Sequence, residues 1–166
     1  MKIMNKLQNK LKKANKDNKG FSLLELIIVI AIMAILVGIV GTQVIPYIDK
    51  SRHSKDIQVL SGLCTDATTA YSSNAASLNP GTTYVITIND SAVTVTGGTA
   101  DEQTILKDAF ADLNSIGKVS DLKLESKAGK AVKDITITCK SADPMVTVHA
   151  TIDPADKGSF EDIKSK

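Results

Sequence analysis

The chain is poor in the residues that catalysis and metal binding need. Among 166 residues there are two histidines, two cysteines and no tryptophan. His53 and His149 are far apart, and neither stands at a ligand spacing from a cysteine or carboxylate, so no metal site is expected. Ser51, His53 and Asp56 are the residue types of a triad. On a helix they would be surface residues, and nothing marks an oxyanion hole. The stretch "GKAVKD" lacks the G-x-x-x-x-G-K-[ST] pattern of a phosphate loop. There is no internal repeat and no low-complexity tract. These absences point away from an enzyme, and no cofactor is expected.

Charge is present but unevenly placed. Residues 1–20 hold seven lysines and one aspartate, whereas from Phe21 onward 17 carboxylates outnumber 13 basic residues. An acidic body argues against nucleic-acid binding by that part. The basic segment reads instead as a topology signal for the apolar run that follows it. From Leu26 to Val40 there is no polar side chain. As a helix, Phe21 to Gly41 would be about 31 Å long, which matches a bilayer core of about 30 Å. Lysines before this span, and none after it until Lys50, predict the basic segment inside and the body outside. Ordinary signal-peptidase cleavage is disfavoured, because no small-x-small site follows the run.

Four segments follow from this pattern: 1–20 basic, 21–48 membrane-spanning, 49–76 amphipathic continuation of the same helix, and 77–166 a globular head. Apolar positions at Leu60, Leu63, Cys64, Ala67, Ala70 and Tyr71 keep helical spacing, with Lys50, Arg52, Lys55, Asp56 and Asp66 assigned to the solvent face. Pro46 removes a hydrogen bond from this helix, and Gly38 and Gly41 weaken it by about 1 kcal/mol each, so it is expected to loosen there. In the head, "TTYVITI" and "AVTVT" around "NDS" read as a hairpin, and "VKDITITCK" and "MVTVHATI" as two further strands. Thr99 and Glu102 form a T-x-x-E box opening a short helix. The fold class is therefore α+β, a long N-terminal helix packed on an antiparallel sheet of about four strands.

One residue is out of place. Glu25 is a carboxylate within the apolar run, and Lys50 is the first cation after it. A buried carboxylate needs a partner, which must come from the N-terminal side or from another molecule. The stretch "KGFSLLELIIVIAIMAIL" resembles the class III signal of type IV pilins and the related pseudopilins: a basic leader ending in glycine, then phenylalanine and a hydrophobic helix with glutamate fifth. The resemblance implies cleavage by a prepilin peptidase between Gly20 and Phe21, and N-methylation of Phe21. It implies that Glu25 pairs with the terminal amine of a neighbouring subunit during assembly. It also implies a pilin-like fold, and as partners other subunits, the peptidase, a membrane assembly platform and the bilayer. The precursor would cross the cytoplasmic membrane once and the assembled protein would be extracellular. The leader is longer than is usual before phenylalanine, and Pro46 lies about one turn later than the proline often found in pilins. A pseudopilin of a secretion or DNA-uptake system carries the same pattern, and a plain single-pass anchor with an outer binding domain would keep its leader.

A last expectation concerns the cysteines. Cys64 lies in the apolar helix stripe, and alternation in "DITITCK" puts Ile135, Ile137 and Cys139 on one strand face. Both sulfurs are thus aimed at the same helix–sheet interface, where a disulfide is expected once the head is outside the cell.

Overall fold

A computed structural model describes residues 21–153 and 158–166. The expected leader 1–20, with Gly20, lies outside the described residues. The chain divides into two units, the first ending at Ile45 and the second running from Pro46 to Lys166.

The first unit is helix α1, Leu23–Ile39, followed by a π-helical stretch, Val40–Val44. α1 is apolar on every side, and none of its residues is buried. The widened turn has local causes. Pro46 has no N–H to continue an α ladder, and its ring would crowd the carbonyl of Thr42, four residues back. One extra residue in the turn avoids that clash, and Ile45 N–H donates to Val40 O. The Thr42 hydroxyl donates to the carbonyl of Gly38 at 3.0 Å. The irregular turn falls inside the Gly38–Pro46 stretch.

The second unit begins on helix α2, Ile45–Ser73. Leu60, Leu63, Cys64, Ala67, Ala70 and Tyr71 are buried along it. Asn74 closes the helix by donating its side-chain amide to Ala70 O at 2.9 Å. Strands β1 (Tyr84–Ile88) and β2 (Val93–Thr96) form the hairpin, where the Asn89 carboxamide oxygen accepts from Ser91 N and Ala92 N at 2.8 and 2.9 Å. Helix α3, Ala100–Leu113, crosses from this hairpin towards β3 (Val132–Cys139) and β4 (Val146–Ile152). The sheet is antiparallel in the order β2-β1-β3-β4-β5. Its fifth strand, β5 (Ile163–Lys164), adds to the four read from the sequence. The core is formed by the α2 stripe, Leu106 and Phe110 of α3, and Tyr84, Ile86, Ile88, Ile135, Ile137 and Val148 of the sheet. Each fully buried aliphatic side chain contributes about 1.5–3 kcal/mol.

One residue departs from the expected pattern. Asp56, assigned to the solvent face, is 1% exposed. It precedes Leu60 by four residues and Leu63 by seven, so it belongs to the buried stripe rather than the wet one.

The far end of α2 is tied to α3 through a small polar network. Asn79 N–H donates to the Tyr84 hydroxyl at 2.9 Å and to Glu102 Oε1 at 3.0 Å. Glu102 Oε2 accepts from Thr99 N at 2.7 Å, and the Thr99 hydroxyl accepts from Glu102 N at 3.3 Å, completing the box. Gly98 has φ +64, and a Cβ there would collide with Glu102 Oε2 and the Tyr84 ring. The Thr99 N–H, above the other contacts, holds the Glu102 carboxyl below its ordinary range. Because the folded-state value is lowered, this contribution is complete above about pH 4.3 and fades as pH falls through the folded value. Glu102→Gln should therefore lower the unfolding midpoint at pH 7. The difference between variant and parent should shrink as pH falls and the parent carboxyl takes up its proton. Melting curves between pH 7 and pH 3 test this, and parallel curves across that range would contradict it.

Candidate assembly site

Phe21, Ser22 and Glu25 stand at the start of α1. Ser22 is its N-cap, in extended conformation, and its side chain accepts from Leu24 N at 3.3 Å. Glu25 reaches back, and Oε2 accepts from Ser22 N at 2.8 Å. This is a reciprocal capping box, and it answers part of the question that Glu25 raises. Within the uncut chain the carboxylate has a donor on its N-terminal side, at the positive end of the helix dipole. That donor is neutral, so the negative charge itself has no cation among the described residues. The S-x-x-E signature was legible in "FSLLE", yet the reading of Glu25 as a buried charge passed over Ser22.

Phe21 is 85% exposed, and Leu23, Leu24, Leu26 and Val37 are more than half exposed. A helix with such a surface needs either lipid or other apolar helices around it. Gly38 and Gly41 have open space around their Cα atoms, so nothing within the described chain uses the flat surface they leave.

Cys64 and Cys139 are both buried on facing elements, as free thiols. Burial pushes the Cys139 thiol up to about 12, and the neighbouring Cys64 adds to the effect. Burial also raises Cys64, against a smaller opposing effect from the Thr68 hydroxyl. Thiols held so far from their thiolate form are slow nucleophiles in the folded state.

Of the triad-like residues, Ser51 is exposed, whereas His53 and Asp56 pack against other parts of the fold. The His53 ring stacks on Phe160, with centroids 4.6 Å apart. His149 Nδ1 lies 2.7 Å from Asp162 Oδ1. Asp56 Oδ1 and Oδ2 accept from the backbone N–H groups of Glu125 and Ser126, each at 2.9 Å. Asp49, two turns earlier on α2, accepts from Lys127 N at 2.8 Å. The Ser126 hydroxyl, itself fully buried, accepts from Gly129 N at 2.9 Å. Two aspartates thus grip one loop, a grouping that linear sequence gives no direct means of pairing.

Residues 15–41 match the family model described as the prokaryotic N-terminal methylation motif. No curated protein and no solved structure matches the chain. The matched motif is the class III signal shared by type IV pilins and pseudopilins, and it covers the N-terminal part of the chain. Together with the long apolar helix and the antiparallel sheet, the motif fits a pilin-like or pseudopilin layout. The motif and the apolar helix fit a membrane-anchored precursor.

Proposed function

We propose that the chain is a structural subunit, major or minor, of a type IV pilus, an extracellular filament serving adhesion, motility or surface contact. A prepilin peptidase cuts between Gly20 and Phe21, and Phe21 becomes N-methylated. The bilayer holds the subunit before assembly, and a membrane platform delivers it into the filament. There the apolar helices pack together, and the Glu25 carboxylate exchanges the Ser22 N–H for the charged terminus of a neighbour. The stretch from Gly38 to Pro46 loosens where neighbouring helices cover its backbone.

The single observation that carries this reading is α1: an apolar helix with no buried residue and one carboxylate, lying within a methylation motif. The exposed surface supports association, and the carboxylate supports a specific register. The same features support a pseudopilin of a type II secretion or DNA-uptake system as the second reading. A single-pass anchored binding protein would have no use for the cut.

Outside the cell the two buried thiols are proposed to lose two protons and two electrons to a dithiol–disulfide oxidant, forming a Cys64–Cys139 bridge. The closed loop of 75 residues contributes about 4 kcal/mol on a chain-entropy estimate.

Electron microscopy of cells with and without the chain tests the function. Surface filaments should be present in the first and missing or sparse in the second. Filaments equal in number and form in both would contradict a structural role.

A further inference from the structure

The surface of the Pro46–Lys166 unit carries two patches of opposite sign, and each is built against local chain preference. The first lies on the lysine-rich loop between α3 and β3. Residues 114–131 hold four lysines against two carboxylates, Asp121 and Glu125. Both carboxylates are engaged. Asp121 Oδ2 accepts from Gly117 N and Lys118 N at 2.9 and 3.0 Å, and Glu125 pairs with Lys55 at 3.4 Å. Lys123, Lys127 and Lys130 are exposed, with no ion-pair partner among the described residues. Lys123 and Lys130 line one cleft with Ser120, and among the described residues Asp90 is the only carboxylate lining it. Lys123 also has φ 50, a left-handed conformation in which glycine or asparagine is cheaper.

The second patch is the outer face of α3. Asp101, Asp108 and Asp112 are exposed, at i, i+7 and i+11. They fall within a strip of about 40°, opposite the buried Phe110. Asp108 and Asp112 repel each other as an i,i+4 pair. Asp112 stands in the last turn, where the helix dipole disfavours an anion, and that turn has no basic residue. None of the three is in an ion pair among the described residues.

We propose that the carboxylate strip of one copy docks on the lysine patch of a second copy of this chain. The inference rests on the pilus reading and assigns a contact between the globular parts of neighbouring subunits in that filament. A strip cannot meet the patch of its own chain, because the two sit at different heights along α2. The lysine loop is held at Asp49 and Asp56. The end of α3 meets α2 at Asp66, where the Asn114 amide donates to Oδ2. Ten helical residues separate Asp56 from Asp66, or about 15 Å. The other end of α3 is tied to Asn79, beyond the end of α2. Copies drawn from one membrane point the same way, so the contact is not reciprocal. It is heterologous, displaced along α2, and repeats as an open chain. Opposite charges also steer encounter and penalise wrong registers.

The test uses the full chain in producing cells, with three variants. Asp108→Lys/Asp112→Lys reverses the strip, Lys123→Glu/Lys130→Glu reverses the patch, and the third carries all four changes. Either pair alone should cut filament mass about 10-fold, since like-charge contacts oppose docking. The four-site variant should return it to within about 3-fold of the parent, and parent filaments should shed subunits as sodium chloride is raised. Parent-level assembly by either pair would overturn the proposal, as would filaments indifferent to salt. So would a four-site variant that accumulates normally yet assembles no better than its parents, because the lysines would then face lipid or another partner. A parent that makes no filament would remove the pilus reading first, and this inference with it.

Discussion

Cells making only Glu25→Gln should insert the protein normally and show at least a 10-fold loss of filaments. Glutamine can keep the local capping bond, since either Glu or Gln at this position can accept from the N-cap N–H. What it removes is the charge. A carboxylate near the end of a span costs up to about 2.5–3.5 kcal/mol on insertion scales, so its loss leaves insertion unharmed or improved. A tenfold effect needs only about 1.4 kcal/mol of lost pairing, which is modest for a charge-assisted contact away from water. Ser22→Ala is the matching control. It removes the hydroxyl acceptor of the capping box but keeps the carboxylate, and costs the helix about 1 kcal/mol. Its filaments should remain near parent numbers. Counting filaments per cell and quantifying membrane-inserted chain separates the two roles. Normal filaments in Glu25→Gln, or their loss in Ser22→Ala with insertion intact, would reduce Glu25 to a helix cap.

The second large effect is expected in the Pro46–Lys166 unit, at Asp56 of α2. Asp56→Ala should destabilise the Pro46–Lys166 unit by about 2–4 kcal/mol, because the part-buried N–H of Glu125 and the buried N–H of Ser126 each lose an acceptor. Asp56→Asn should lose less, since its single carbonyl oxygen still serves one of the two donors. Gly129 sits against the same carboxylate. A Cβ there would run into Asp56 Oδ2 and the Leu124 side chain, so Gly129→Ala should cost about 1–3 kcal/mol by overpacking. Because both changes strain one cluster, the double variant Asp56→Ala/Gly129→Ala should cost less than the sum. Urea unfolding of the detergent-solubilised chain measures all four. An Asp56→Ala midpoint equal to that of the parent would show that the loop is held by other contacts.

Asp56 also shows where sequence reading reached its limit. The helix stripe is legible from Leu60 to Tyr71, whereas charge alone assigns position 56 to the solvent face. Period alone places it with Leu60 and Leu63, and a carboxylate in a buried stripe then implies donors from elsewhere. Those donors are backbone groups of a loop 69 and 70 residues away, which carry no side-chain signature. The hairpin, the Thr99–Glu102 box and the alternating burial of β3 were readable because each depends on neighbours within a few residues. β5 was not, because two residues are too short to alternate. At the candidate site, the apolar run, Glu25 and the breakers Gly38, Gly41 and Pro46 stood out by composition. The π-helical turn at Val40–Val44 depends on the Pro46 ring and the Thr42 hydroxyl together, so its form required coordinates.

Intact-mass analysis of surface material tests most directly whether a pilin-type subunit is released by the proposed cut after Gly20. The mass should correspond to Phe21–Lys166 plus one methyl group. Denaturing, non-reducing conditions with an alkylating reagent should add nothing and leave the chain two hydrogens lighter, as a Cys64–Cys139 bridge requires. Two alkyl additions would refute the bridge alone. Filaments built of chains that retain residues 1–20 would contradict the account itself.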